Sequence, residues 1–285
     1  MGGPRTRRHA LGQNFLVDSG VARAALALAE LGAGSSVLEI GPGHGALTEV
    51  LLAAGHEVFA VEIDPALAAS LSARGHDRLH VELADFLRLP LSAVPAKVRN
   101  VVANLPYSSG TAMVSRLVGE IGRFDRIVVL LQREVAERLC AGPGGHAYGA
   151  LSVLTALGAT ARLGPIVPPS AFRPQPKVES ALVRLDCRMQ IPEGVPDVAA
   201  FRRVVRGAFG QRRKTLRNAL GSALGREAAL LALAAAGIDG ERRAETLTFG
   251  EFGALTRAAL ALAGDSPTGA GSAPTPPAGP AGEGG

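Results

Sequence analysis

The residues most suggestive of chemistry are Asn104, Leu105, Pro106 and Tyr107, which follow the apolar run VRNVVA. Asn104 offers a side-chain carbonyl that can accept from an exocyclic N–H. Pro106 forces an extended backbone before it and keeps nearby carbonyls out of local helix bonding. Tyr107 offers an aromatic face on which a base can stack. Together these groups can hold an adenine amino group as a nucleophile. A turn with a buried tyrosine would also explain the tetrapeptide, so its weight comes from what precedes it.

GPGHG follows the strand-like VLEI and leads into a helix-like stretch. Glycines let the backbone approach a ligand closely, and a helix N-terminus favours negative charge. Gly41, Gly43 and Gly45 fit a GxGxG loop; Gly41, Gly43 and Ala46 fit the dinucleotide fingerprint equally. Glu62 comes about 20 residues later, where an acid can accept from both ribose hydroxyls of NAD or of S-adenosylmethionine. Asp64 reads as a helix cap, because Pro65 follows. Asp85, after the next strand-like run, can accept from an adenine amino group; alone it would more often be a loop or cap residue.

These residues need a frame that brings strand ends together. The runs SSVLEI, HEVFAVEID, RLHVELADF, VRNVVANLPY and DRIVVLLQ read as strands; VARAALALAEL, ALTEVLLAAG and PALAASLSARG read as helices. This alternation predicts an α/β fold, a Rossmann-like parallel sheet with helices on both faces and a ligand crevice at the strands' carboxyl ends. The pattern changes after about Asp186. Phe201, Val204, Val205, Ala208 and Phe209 fall on one face of a helix, and 189–263 is predicted to be a small all-α domain. The organisation expected is thus a basic arm over 1–10, an α/β sheet domain with the ligand crevice over 11–188, the helical domain, and a disordered Gly/Ala/Pro/Ser/Thr tail over 264–285.

The 285 residues are 47% hydrophobic and 19% charged, enough apolar material for a sizeable core. Arg23 and Glu30 interrupt the first apolar stretch, and the run around Leu230 is bounded by charges, so no membrane span is expected. The N-terminal MGGPRTRRHALG lacks the apolar segment of a secretory signal. Two cysteines, Cys140 and Cys187, cannot build a disulfide framework, which fits a cytoplasmic protein; they read as packing residues. His76 and His80 lack further ligands and read as surface, so no metal is expected.

The net charge is +5, which favours a polyanionic partner. Arg202, Arg203, Arg206, Arg212, Arg213, Lys214 and Arg217 occur in one stretch without an acid between Phe201 and Leu220. The first three lie opposite the apolar helix face, suited to phosphates; an ordinary solvated face would normally intersperse acids. Phe172, on a proline-rich loop, is a candidate wall for a target base, with core packing the equal alternative.

With these motifs in place, the chain resembles the ribosomal RNA adenine N6,N6-dimethyltransferases, most closely the bacterial small-subunit enzymes associated with kasugamycin sensitivity. The resemblance runs from about Arg8 to Leu262. It rests on GQNFLVD, EIGPGHGALT, VEID, ADF, NLPY, LQREVAERL, AYGALSVL, PPSAFRPQPKVESALVRL and FGQRRKTLRNAL. It implies S-adenosylmethionine as donor, with contacts from Asn14, Leu16, Gly41, Glu62, Asp85 and Asn104. It also implies transfer to N6 of two adjacent adenines in a 3′-terminal loop of small-subunit (16S) rRNA, by a monomer acting on a pre-assembled small subunit during ribosome biogenesis. The family usually continues NLPY with Asn-Ile-Ser-Thr; here the run is Ser108-Ser109-Gly110-Thr111. Alternatives are a 23S rRNA adenine methylase of the macrolide-resistance type and a non-catalytic RNA-binding assembly factor. An NAD oxidoreductase lacks a visible hydride-transfer acid or base.

Overall fold

The computed structural model of the protein describes residues 14–211 and 213–264. The basic arm over 1–10, Arg212 and residues 265–285 of the expected tail lie outside the described residues. A two-residue strand β1 (Phe15–Leu16) leads into α1 (Ser19–Ala29), capped by the Asp18 carboxylate. Five strands then alternate with helices: β2 (Ser36–Ile40), α2 (Ala46–Ala53), β3 (Glu57–Glu62), α3 (Pro65–Ser72), β4 (Leu79–Leu83), β5 (Asn100–Asn104), α4 (Gly110–Gly119) and β6 (Arg126–Gln132). Asp64 caps α3 as its sequence predicts, accepting from the Ala66 and Leu67 amides with Pro65 at the first position.

The sheet order is β4-β3-β2-β5-β6-β9-β7. The first five strands in that order are parallel. The last two are not: β9 (Ser180–Cys187) runs antiparallel to both β6 and β7 (Ala159–Val167). The wholly parallel sheet expected from the alternation is therefore corrected to a mixed one. The cause is local: α5 (Arg133–Cys140) and α6 (Ala150–Gly158) are followed by a hairpin-like return instead of another crossover.

Period-two alternation divides each strand between two cores. Leu38, Ile40, Val101, Ala103, Ile127 and Val129 face one side with α4. Val37, Val58, Ala60, Val102, Val128 and Leu130 face the other with α1 and α2. Helices thus cover both faces, as expected. The C-terminal helices α7 (Val198–Phe209), α8 (Leu216–Leu224), α9 (Arg226–Ala235) and α10 (Phe249–Gly264) enclose a third core. Phe201, Val204, Val205 and Ala208 are buried there, the face read from their spacing. Tyr148, Val153 and Leu157 join this core from the sheet side, so the two parts share a packed seam. No helix among the described residues is long and apolar enough to cross a membrane.

Of the described glycines, Gly158 at the end of α6 has the least room for a side chain, being packed against Val118 of α4. A Cβ on Gly158 would lie 1.9 Å from the Val118 carbonyl oxygen. Gly158→Ala is expected to cost about 1–3 kcal/mol through overpacking. Thermal denaturation should record it, at roughly 2–4 °C of Tm per kcal/mol in a domain of this size.

Candidate active site

Four strand ends converge, as the topology requires. Gly41 follows β2, Glu62 ends β3, Asp85 lies two residues beyond β4 and Asn104 ends β5. All four line one cavity of about 230 Å³, together with Asn14, Phe15 and the run Leu105 to Ser109. Among the described residues the lining carries the carboxylates Glu62 and Asp85 and no lysine or arginine, though Arg88 lies 3.7 Å from Asp85.

The glycine loop adopts the three-glycine form. Gly41, Gly43 and Gly45 have φ of +65°, +57° and +83°, the region that favours glycine. Gly45 is the N-cap of α2, and Ala46 is simply its first residue. The Phe15 ring lies over the loop, its centre 4.5 Å from that of the tilted His44 ring; a Cβ on Gly43 would sit 2.7 Å from it. The Glu62 carboxylate is almost fully buried and accepts three backbone N–H bonds: Gly43 at 3.0 Å, Ile63 at 2.9 Å and Asp64 at 2.9 Å. A carboxylate has about four lone-pair sites, so one remains on Oε2 for a hydroxyl. Asp85 accepts from the Leu87 amide at 2.9 Å and is one-third exposed.

Asn104 is oriented by its own nitrogen. Nδ2 donates to the Asn14 carbonyl at 3.1 Å, and the side chain lies in the cavity lining with Oδ1 not engaged by that bond. The Leu105 amide donates to Leu130 in β6, and the Pro106 carbonyl accepts from Ser109 and Gly110. Pro106 therefore does not leave its own carbonyl free. The Tyr107 hydroxyl is hydrogen-bonded to Ser180 Oγ, and burial raises its pKa. The Ser108-Ser109-Gly110 run is accommodated because Gly110 starts α4 in contact distance of Leu131, where a Cβ would meet Leu131 Cδ2 at 2.7 Å.

The ribosomal RNA adenine dimethylase profile matches residues 5–258. The chain belongs to that family. It is an rRNA adenine methyltransferase with the fold and activity class its motifs imply. It is 47% identical to "Ribosomal RNA small subunit methyltransferase A" of Syntrophotalea carbinolica, over 86% of this chain and 94% of the relative. It is 42% identical to the protein of that name from Geobacter sulfurreducens, over 90% and 96%. Among solved structures, a Plasmodium falciparum dimethyladenosine transferase has a TM-score of 0.72 at 23% identity, covering 85% of this chain and 95% of that one, a likeness of fold. The 23S rRNA methyltransferase ErmE has a TM-score of 0.63 at 29% identity, covering 87% and 100%.

Within this family member, Asn14, Gly41, Glu62, Asp85 and Asn104 meet at the cavity. Leu16 turns away: its side chain is buried in the second core and borders only a small adjoining void with Glu39 and Asn104. Phe172 is corrected from a wall of the target-base pocket to a core residue. It is fully buried, because its short strand β8 (Phe172–Arg173) pairs with β1 and turns the ring inward. The basic stretch is not uniform either. Arg202 is half-buried and donates to the Gly119 carbonyl, and Arg217 pairs with Glu241. Arg203, Arg206, Arg213 and Lys214 are at least partly open to solvent. Cys140 and Cys187 are partly buried, with thiol pKa values pushed up to about 11 and about 12 by burial. His76 and His80 are exposed, and His80 stacks on Phe59. Ser180, Phe15 and Met113 carry no sequence signal of their own; register and helix phase bring them to the site.

Glu39, in β2 beneath the loop, is buried and accepts from Thr48 at 2.7 Å. Burial raises its pKa to about 8. The folded state therefore keeps a proton that the unfolded chain loses near pH 4.5, so stability falls as pH rises from about 4.5 to 8, by up to about 1.4 kcal/mol per unit. Glu39→Gln, which keeps an acceptor for Thr48, should match the wild type near pH 4.5 and exceed its Tm at pH 8. Parallel melting curves across that range check the sign.

Proposed function

We propose that this methyltransferase uses S-adenosylmethionine to dimethylate N6 of two adjacent adenines in a 3′-terminal loop of small-subunit (16S) rRNA. It acts in the cytoplasm, as a monomer, on a pre-assembled small ribosomal subunit. The observation that carries the reading is Asn104 in the cavity lining beside Tyr107, with its amide nitrogen held by the Asn14 carbonyl, which leaves the oxygen as the end available to a base. The small-subunit relatives at 42–47% identity support the choice of RNA over the 23S reading that ErmE represents at 29%. The complete set of acids and Asn104 favours an enzyme over a non-catalytic factor.

The cavity suits the donor: Glu62 and Asp85 line it and supply acceptors for a ribose hydroxyl and an adenine amino group, with Arg88 3.7 Å from the Asp85 carboxylate. S-adenosylmethionine, when bound, supplies a methyl group already activated by its sulfonium. Glu62 accepts a ribose hydroxyl on its remaining lone pair, and Asp85 accepts from the adenine amino group. On the acceptor side, Asn104 Oδ1 and the Leu105 carbonyl accept hydrogen bonds from the two N6 hydrogens of the target base in the first transfer. This draws N6 toward tetrahedral geometry and localises its lone pair. Both contacts strengthen as positive charge develops on N6, so they bind the transition state more tightly than the ground state. The monomethylated base keeps one N–H for the second transfer, and each transfer leaves S-adenosylhomocysteine and gives up one N6 proton to solvent. Tyr107, fixed at its hydroxyl by Ser180, presents its ring to the base. Extruding a base costs a few kcal/mol in a duplex and less in a loop, which favours a loop substrate. Arg203, Arg206, Arg213 and Lys214 provide phosphate contacts.

Asn104→Ala should fold, bind RNA and lose methyl transfer by about a hundredfold or more in single-turnover assays on small-subunit particles. Wild-type rates would refute the N6 acceptor. Glu62→Ala should weaken donor binding by about 1–3 kcal/mol in titration calorimetry. Neutralising Arg203, Arg206 and Arg213 should leave donor binding intact and flatten the salt dependence of RNA binding by roughly 0.7–0.9 for each phosphate no longer neutralised.

A further inference from the structure

Arg116 is the one arginine of α4, eleven residues beyond Leu105, and it is partly buried. Its guanidinium reaches across to the loop after β4. Nη1 donates to the Phe86 carbonyl and Nη2 to the Leu89 carbonyl, while the guanidinium carbon lies 5.2 Å from the centre of the Phe86 ring. One planar fork thus grips the two carbonyls that bracket the turn over Phe86 to Leu89 and clamps the ring between them. Within the loop the Asp85 carbonyl accepts from Arg88 and Leu89, the Asp85 carboxylate accepts from Leu87, and the largely exposed Arg88 side chain lies 3.7 Å from that carboxylate. Asp85, Phe86 and Leu87 all line the donor cavity, whereas Arg116 does not.

We infer that Arg116 is a positioning residue for the donor's adenine: it holds the Asp85 loop at the distance where the carboxylate meets the amino group. The inference rests on the role given to Asp85 above. A planar fork with fixed donor spacing can bridge two carbonyls in one orientation; an ammonium cannot. The rival role is a helix-end one. Arg116 lies in the last turn of α4, where any cation is stabilising, and lysine would serve there as well as arginine. The device also links the two halves of the reaction site, because α4 begins just behind Tyr107 and ends at the loop that carries Asp85.

The test uses the full-length protein and two product-like probes, S-adenosylhomocysteine and its 6-oxo analogue S-inosylhomocysteine, which lacks the amino group. The variants are Arg116→Lys, Arg116→Gln and Asp85→Asn. Wild type should prefer the adenosyl probe. Arg116→Gln should lose about tenfold of that preference, through weaker adenosyl binding and unchanged inosyl binding. Its KM for the donor should rise while kcat holds, and Tm should fall modestly with the loss of the two carbonyl contacts. Arg116→Lys should fall between Gln and wild type in preference while matching wild type in Tm. Combined with Asp85→Asn, Arg116→Gln should add nothing further. Equal loss for both probes, or full preference in Arg116→Gln or Arg116→Lys, overturns the inference and leaves a helix-end or packing role. If wild type shows no difference between the probes, or Asp85→Asn keeps the full wild-type preference, the Asp85 assignment itself fails and takes the inference with it.

Discussion

A carboxamide is nearly symmetric in shape and opposite in chemistry at its two ends. The reaction proposed for this site depends on which end of Asn104 is available to a base. The Asn14 carbonyl bears on it, because a carbonyl can only accept and so holds the nitrogen end. In that proposal, one bond makes a residue from the start of the described chain a determinant of the acceptor at the end of the fourth parallel strand. It also explains why the N-terminal segment is built into the fold: Phe15 covers the glycine loop, Leu16 anchors in the core, and Asp18 caps the helix that follows.

The remaining contacts follow a common economy. Backbone amides hold Glu62, a serine from a distant strand holds Tyr107, and an arginine holds the loop of Asp85. Each of these cavity-facing side chains has at least one partner behind it. Hydrogen bonds already formed in the free protein do not have to be organised during the reaction, which is the physical content of preorganisation.

Much of this is legible in the sequence. The strand–glycine–helix pattern, the acids at successive strand ends and the Asn104 motif are local features, each readable from a few consecutive residues. What is not legible depends on register. β7 contains Gly164 and Pro165 and a shift in pairing between Leu163 and Ile166, which destroys its period-two signal. Without β7 the antiparallel return cannot be inferred. With it goes Ser180, whose orientation toward Tyr107 is set by β9 pairing on both sides. Phe172 misleads for a related reason: an aromatic on a proline-rich loop looks exposed until its two-residue pairing with β1 is known. The arginines illustrate the limit of charge counting, since Arg202 and Arg217 find partners more than twenty residues away in sequence.

The pairing of β1 with β8 joins Phe15 to Arg173 and Leu16 to Phe172. Translation delivers these segments far apart in time. The five parallel strands can be assembled once Gln132 has left the ribosome, but the segment that orients Asn104 has no strand to lie against until Arg173 has followed. A nascent chain between those two lengths therefore holds a nearly complete sheet with an unfinished site. At about 5–20 residues per second, that interval lasts a few seconds. Competence to transfer a methyl group thus arrives late in synthesis, after the fold that frames it.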